Sequence, residues 1–99
     1  MNIKTSSTDP ISLIPRYINE LGLDAEVERL ANSILKAYID KFSVSGKDPK
    51  GLCAGAIYLA NKIKDKGFTQ QHIADIIGIT EVTLRSRYKE LKSKLKIKI

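Results

Sequence analysis

The sequence predicts an all-α domain of five helices, the last two forming a helix-turn-helix. Three observations lead there. Apolar residues recur at helical spacing through most of the chain, with no sustained alternation of strand type. Asp-Pro pairs, glycines and threonines cut that pattern into five segments. The stretch from Phe68 to Leu91, FTQQHIADIIGITEVTLRSRYKEL, reads as a short helix, a glycine turn and a second, basic helix. At 99 residues the chain has the length of one domain and can bury a core without metal or disulfide staples. A hydrophobic content of 42% fits a folded protein, not a disordered one. No apolar run reaches the length of a membrane span and no secretory leader opens the chain, so neither a spanning nor a secreted protein is expected. The single cysteine, Cys53, has no partner for an internal disulfide; within LCAGAIYLA it reads as a buried, inert thiol.

Residues 1–8 are polar and aperiodic and read as a flexible tail or linker stub. Asp9-Pro10 is a cap followed by proline at the first helical position. Ile11, Ile14, Tyr17, Ile18 and Leu21 then mark an amphipathic helix. Pro15 falls inside it as a source of kinking or of a delayed start, and Gly22 stops it. Asp24 caps the second and longest helix, with Val27 where a capping box has Glu. Its broad stripe of Val27, Leu30, Ala31, Ile34, Leu35, Tyr38, Ile39 and Phe42 belongs to a helix with more than one neighbour. Ser43 to Lys47 break it. Asp48-Pro49 repeats the cap-plus-proline signal before LCAGAIYLANKIK, which is apolar almost all round and therefore central. Gly55 costs that helix about 1 kcal/mol of propensity relative to alanine. Close approach of a crossing helix is the expected compensation. Lys64 to Gly67 end it with basic residues and a glycine. Thr69 opens the fourth helix and Gly78 ends it; Thr80 opens the fifth. The helical pattern ends at Leu95, and residues 96–99 are expected to fray.

Charge is placed unevenly along this order. Residues 1–46 carry 5 basic and 6 acidic side chains, and residues 47–99 carry 12 basic and 5 acidic. The C-terminal half therefore suits a polyanionic partner, nucleic acid being the commonest; a merely soluble lysine-rich surface is the alternative. In the helix-turn-helix, Ala74 is small where the two helices meet and Gly78 supplies a left-handed backbone. Ile73, Ile77, Ile79 and Leu84 fall where such a motif buries apolar side chains. With Leu84, Tyr88, Leu91 and Leu95 facing inward, the outward face becomes Glu81, Val82, Arg85, Ser86 and Lys89. Arg85 is suited to bidentate contact with a guanine, and Val82 to a thymine methyl. Thr80, Glu81, Ser86, Arg87 and Lys89 are assigned to the DNA backbone or its flanks. Arg87 occupies a position that is usually apolar, which leaves the rotation of the helix open. An ordinary helical hairpin with a solvated basic face is the competing reading.

These residues carry a family resemblance over residues 9–95. DPISLIPRYINELGL, the long second helix, GKDPKGLCAGAIYLAN and then FTQQHIADIIGITEVTLRSRYKEL resemble the second cyclin-like repeat of transcription initiation factor B, the archaeal TFB and eukaryotic TFIIB family. The lysine-rich composition leans towards the archaeal form. The resemblance implies a five-helix cyclin-like repeat from a longer factor that also has a zinc ribbon, a linker and a first repeat. It implies recognition of the B recognition element upstream of the TATA box, together with TATA-binding protein, so as to set the site and direction of transcription. RNA polymerase would be engaged through the other parts of the factor. Val82 and Arg85 match the family's base-reading valine and arginine, and Lys47 matches its basic loop before the third helix. The surface for TATA-binding protein lies largely on the first repeat, so the resemblance assigns no residues here to it. It further implies a monomer acting on double-stranded promoter DNA, in the cytoplasm and nucleoid if archaeal or the nucleus if eukaryotic.

Two other readings stay open on sequence. A dimeric repressor-type helix-turn-helix protein predicts self-association and a palindromic site. A cyclin-like protein-interaction module predicts no DNA binding even at low salt. An enzyme is not expected, because the chain has no glycine-rich phosphate loop, no nucleophile with a nearby base and no cluster of metal ligands. No cofactor is expected. His72, the single histidine, reads as a surface residue.

Overall fold

The computed structural model describes residues 10–42 and 48–98. It contains five helices: α1 (Pro10–Leu21), α2 (Ala25–Lys41), α3 (Pro49–Ile63), α4 (Gln70–Ile77) and α5 (Glu81–Lys94). Their order and number agree with the sequence reading, and no strand occurs among the described residues. Asp9, the expected cap of α1, lies outside them, as do Lys47 and the rest of residues 43–47. Pro15 sits on the exposed side of α1, which continues through it to Leu21.

The starts of the other helices have the caps their sequences specify. Asp24 accepts a hydrogen bond from the Val27 amide at 3.1 Å, and Asp48 from the Lys50 amide at 3.0 Å. Each bond satisfies an amide that has no partner within its own helix. The Lys66 ammonium, 3.0 Å away, and the Val27 amide together hold the Asp24 carboxyl below its usual range. That ion pair ties the start of α2 to the segment after α3.

Four helix ends share one closure. The amide of the second or third residue past the helix reaches back to a carbonyl five positions earlier: Leu23 to Ile18, Lys66 to Asn61, Ile79 to Ala74 and Ile97 to Lys92, all at 3.0 Å. Each requires a left-handed residue just before that amide, and these are Gly22, Asp65, Gly78 and Lys96. The glycines at α1 and α4 were legible. At α3 the left-handed position falls on Asp65, ahead of Gly67. At the end of α5 it falls on Lys96, so the chain closes there where fraying is expected, and Ile97 packs on the core.

The core is built around α3, which packs against each of the other four helices. Every residue from Gly51 to Asn61 is buried, as its uniformly small and apolar composition requires. Ile14, Tyr17 and Ile18 of α1 close one side, and Val27, Ala31, Leu35 and Tyr38 of α2 another. The Cys53 thiol is fully buried and donates to the Pro10 carbonyl. Gly55 is where α5 crosses. A Cβ built there would stand 2.9 Å from the Tyr88 amide nitrogen and 3.0 Å from the Arg87 carbonyl carbon. The glycine thus lets two backbones touch, which is the compensation expected for its poor helix propensity.

One buried polar side chain positions the start of α4. Asn61, 2% exposed, donates to the Phe68 carbonyl at 2.9 Å and accepts from the Phe68 amide at 3.1 Å. This two-point bond fixes the chain one residue before the cap of that helix. Phe68 in turn meets the exposed His72 ring edge-on, with centroids 5.3 Å apart.

Candidate nucleic-acid interface

Residues 69–94 form the helix-turn-helix. Thr69 caps α4 through a bond from the His72 amide at 3.1 Å. Ile73, Ala74 and Ile77 are buried on its inner face. Gly78, at φ 90° and ψ 36°, turns the chain, and its amide donates to the Ala74 carbonyl at 2.8 Å. Thr80 then caps α5: its Oγ1 accepts from the Thr83 amide at 3.1 Å and donates to the Thr83 hydroxyl at 2.9 Å. In the first turn of α5 Val82 is exposed and Leu84 is buried, while the Thr83 and Leu84 amides are taken by the Thr80 side chain and carbonyl.

The rotation of α5 about its axis decides which side chains are free. Leu84 and Leu91 are fully buried, and Tyr88 and Leu95 pack partly against the core. The Tyr88 ring meets Tyr58 of α3 edge-on at 4.8 Å. Helical periodicity then directs positions 82, 85, 86 and 89 to the opposite side, and all four are exposed. Val82 is 69% exposed, against 38% and 37% for the other exposed large apolar side chains among the described residues, Ile63 and Ile76. An aliphatic side chain that far out of the core gains little from folding.

Arg85 stands at the centre of this face with its side chain 44% exposed. Its Nε donates to Gln70 Oε1 at 3.3 Å, and its Nη2 lies 3.7 Å from the Glu81 carboxylate. Glu81, one turn before Arg85, is 42% exposed. Ser86 and Lys89 continue the face towards the C-terminus. Beyond them Lys92, Lys96 and Lys98 line a shallow groove of about 500 Å³ with Tyr88 and Ile97.

Arg87 does not join them. Its stem lies over the two glycines of α3, and its side chain is only 26% exposed. Its Nη1 donates to Glu90 Oε1 at 2.6 Å, while Glu90 Oε2 accepts from the buried Tyr38 hydroxyl at 2.8 Å. Burial and the bond to Glu90 push the Tyr38 hydroxyl up to about 12. So Arg87, expected among the backbone contacts, ties α5 to α2 and α3, and its guanidinium is committed to Glu90. This also explains why an arginine stands at a usually apolar position: glycine-lined space receives its stem and a carboxylate receives its head. Lys47 lies outside the described residues. Val82, Arg85, Ser86 and Lys89 are thus brought together on one face, with Thr80 and Glu81 at its N-terminal edge. Gln70 and Glu90 had no periodic signal to mark them, since each acts through a partner on another turn or helix.

The fold and this face define a small all-helical domain with a helix-turn-helix whose second helix exposes a basic face. A family model described as the transcription factor TFIIB repeat matches residues 3–94. A transcription initiation factor IIB of Methanocaldococcus jannaschii is 44% identical over all 99 residues, which correspond to 15% of that protein. The factor of the same name from Methanococcus maripaludis is 43% identical over the whole chain and 29% of its own length, and that of Archaeoglobus fulgidus 40% identical over 30% of its length. The chain belongs to the transcription factor TFIIB repeat family. It spans between about a seventh and a third of these relatives.

Proposed function

We propose that this chain is the second, C-terminal repeat of a transcription initiation factor B, and that it recognises promoter DNA through the outer face of α5. The observation that carries this reading is the exposed quartet Val82, Arg85, Ser86 and Lys89 on a helix whose opposite side is locked into the core. In the major groove, the N-terminal half of such a helix meets base edges. Arg85 bonds a guanine through its fork of donors and Val82 covers a thymine methyl. Ser86 and Lys89 set register against phosphates, with Thr80 and Glu81 flanking the contact at the N-terminal edge. The target is the B recognition element beside the TATA box. TATA-binding protein on the same DNA supplies the rest of the binding surface, and RNA polymerase is engaged by other parts of the full-length factor. The domain works without catalysis, on chromosomal DNA inside the cell.

Binding-site selection with and without TATA-binding protein tests the reading. Enrichment of an asymmetric element flanking TATA is expected. Enrichment of a palindrome would favour a dimeric repressor instead, and an absence of DNA binding at low salt a protein-interaction module. Within the selected element, Arg85→Ala is expected to relax preference at one base position, by about 1–3 kcal/mol. Lys89→Ala is expected to weaken all sequences alike and to reduce the slope of log K against log salt by about 1. Equal effects of both changes on every sequence would refute the assigned roles.

A further inference from the structure

Arg85 is not simply a free side chain on an exposed helix. Its guanidinium is approached by acceptors from two elements: Gln70 Oε1, from the first residue of α4, at 3.3 Å from Nε, and Glu81 Oε2, from the first residue of α5, at 3.7 Å from Nη2. The pair with Glu81 is the ordinary contact between positions one helical turn apart. The contact with Gln70 is different, because it crosses the turn between residues 15 apart in sequence. It exists only because Gly78 and the two threonine caps bring the starts of α4 and α5 together.

Counting donors shows what this arrangement does. A guanidinium has five N–H groups: one on Nε and two on each terminal nitrogen. Gln70 uses the Nε hydrogen, and Glu81 faces one hydrogen of Nη2. Three remain, one on Nη2 and two on Nη1, all at the far end of the fork. Bidentate contact with guanine O6 and N7 needs two. An arginine can offer either its Nε side or its terminal end; with Nε occupied, only the end-on approach is open. From this geometry we infer that Gln70 is a positioning residue for base recognition: it fixes which edge of Arg85 meets the DNA, and so which base position Arg85 reads. Glu81 restrains the same group electrostatically and adds a negative charge where phosphates would otherwise attract Arg85. The inference rests on Arg85 being a base-reading residue.

The test is a double-mutant cycle on the intact chain, with duplexes that vary the base read by Arg85, in the presence of TATA-binding protein. Gln70→Leu, similar in shape but without an acceptor, is expected to reduce discrimination at that base roughly 3- to 10-fold, part of the full effect of a bidentate contact. Affinity for unrelated duplex should change less than about twofold, because no phosphate contact is lost. Gln70→Glu retains an acceptor oxygen and should retain discrimination. Adding Gln70→Leu to Arg85→Ala should cost nothing further. A merely structural role for Gln70 would instead lower the melting temperature and weaken all duplexes alike. Additive losses in the cycle would overturn the inference by showing that Gln70 contacts DNA itself. Full discrimination in Gln70→Leu, with Arg85→Ala impaired, would overturn it and leave the reading of the interface standing. Full discrimination in Arg85→Ala would overturn both.

Discussion

A methyl group at residue 55 would have nowhere to go. Its nearest neighbours are backbone atoms of Tyr88 and Arg87, at 2.9 and 3.0 Å, and a backbone cannot rotate aside as a side chain can. Gly55→Ala gains about 1 kcal/mol of helix propensity. Forcing α3 and α5 apart is expected to outweigh this, for a net loss of up to about 2 kcal/mol in chemical denaturation, since overpacking costs ~1–3 kcal/mol. An equally decisive residue is Tyr38. Its hydroxyl is raised to about 12 from the ordinary 10 by burial first and by the bond to Glu90 second. The folded state therefore keeps this proton where the unfolded chain has lost it. The resulting stability is complete below pH 10 and is lost as the pH rises from 10 towards 12. Burial raises Tyr17 as well, so part of the alkaline loss remains in any Tyr38 variant. Tyr38→Phe is expected to flatten the fall measured by denaturation across that window; an unchanged slope would separate Tyr38 from the alkaline transition.

Helix ends show how much an element reveals in sequence. Where the left-handed closing residue is a glycine, as at Gly22 and Gly78, the end could be read directly. Asp65 and Lys96 adopt the same conformation with side chains attached, at φ 56° in both; aspartate tolerates it better than most residues, but nothing in the residue type of Lys96 announces it. Lys96→Gly removes the steric penalty and is expected to stabilise the domain by up to about 1 kcal/mol in thermal or chemical denaturation. A loss of stability would mean that the lysine side chain contributes more at the groove than its backbone costs. The inward face of α5 was legible for the same reason as the glycines: Leu84, Tyr88, Leu91 and Leu95 repeat at helical spacing. Arg87 was not, because the notch that receives it is made by glycines in α3 and its charge partner is one turn ahead. Periodicity within one helix carries no information about a cavity in another.

Across the whole molecule, helix order, the central place of α3 and the exposed quartet on α5 could all be derived from spacing, caps and charge. The bond from Asn61 to the Phe68 backbone could not, since a lone asparagine in an apolar helix has no pattern, yet it determines where α4 begins. The uneven charge acquires a location: Arg85, Lys89, Lys92, Lys96 and Lys98 run along α5 and the turn after it. A basic strip along one helix of an asymmetric domain suits one copy per site. Sedimentation is accordingly expected to give one chain per promoter duplex, and two chains per duplex would return the dimeric repressor to consideration.

The contact at Gly55 divides α5 lengthwise. Residues that attach the helix are Leu84, Arg87, Tyr88 and Leu91; residues that face outward are Val82, Arg85, Ser86 and Lys89. The two sets share no member. The domain is in that respect a socket with an exchangeable key: the outer residues can be rewritten while the contacts that hold the helix against α2 and α3 are left alone.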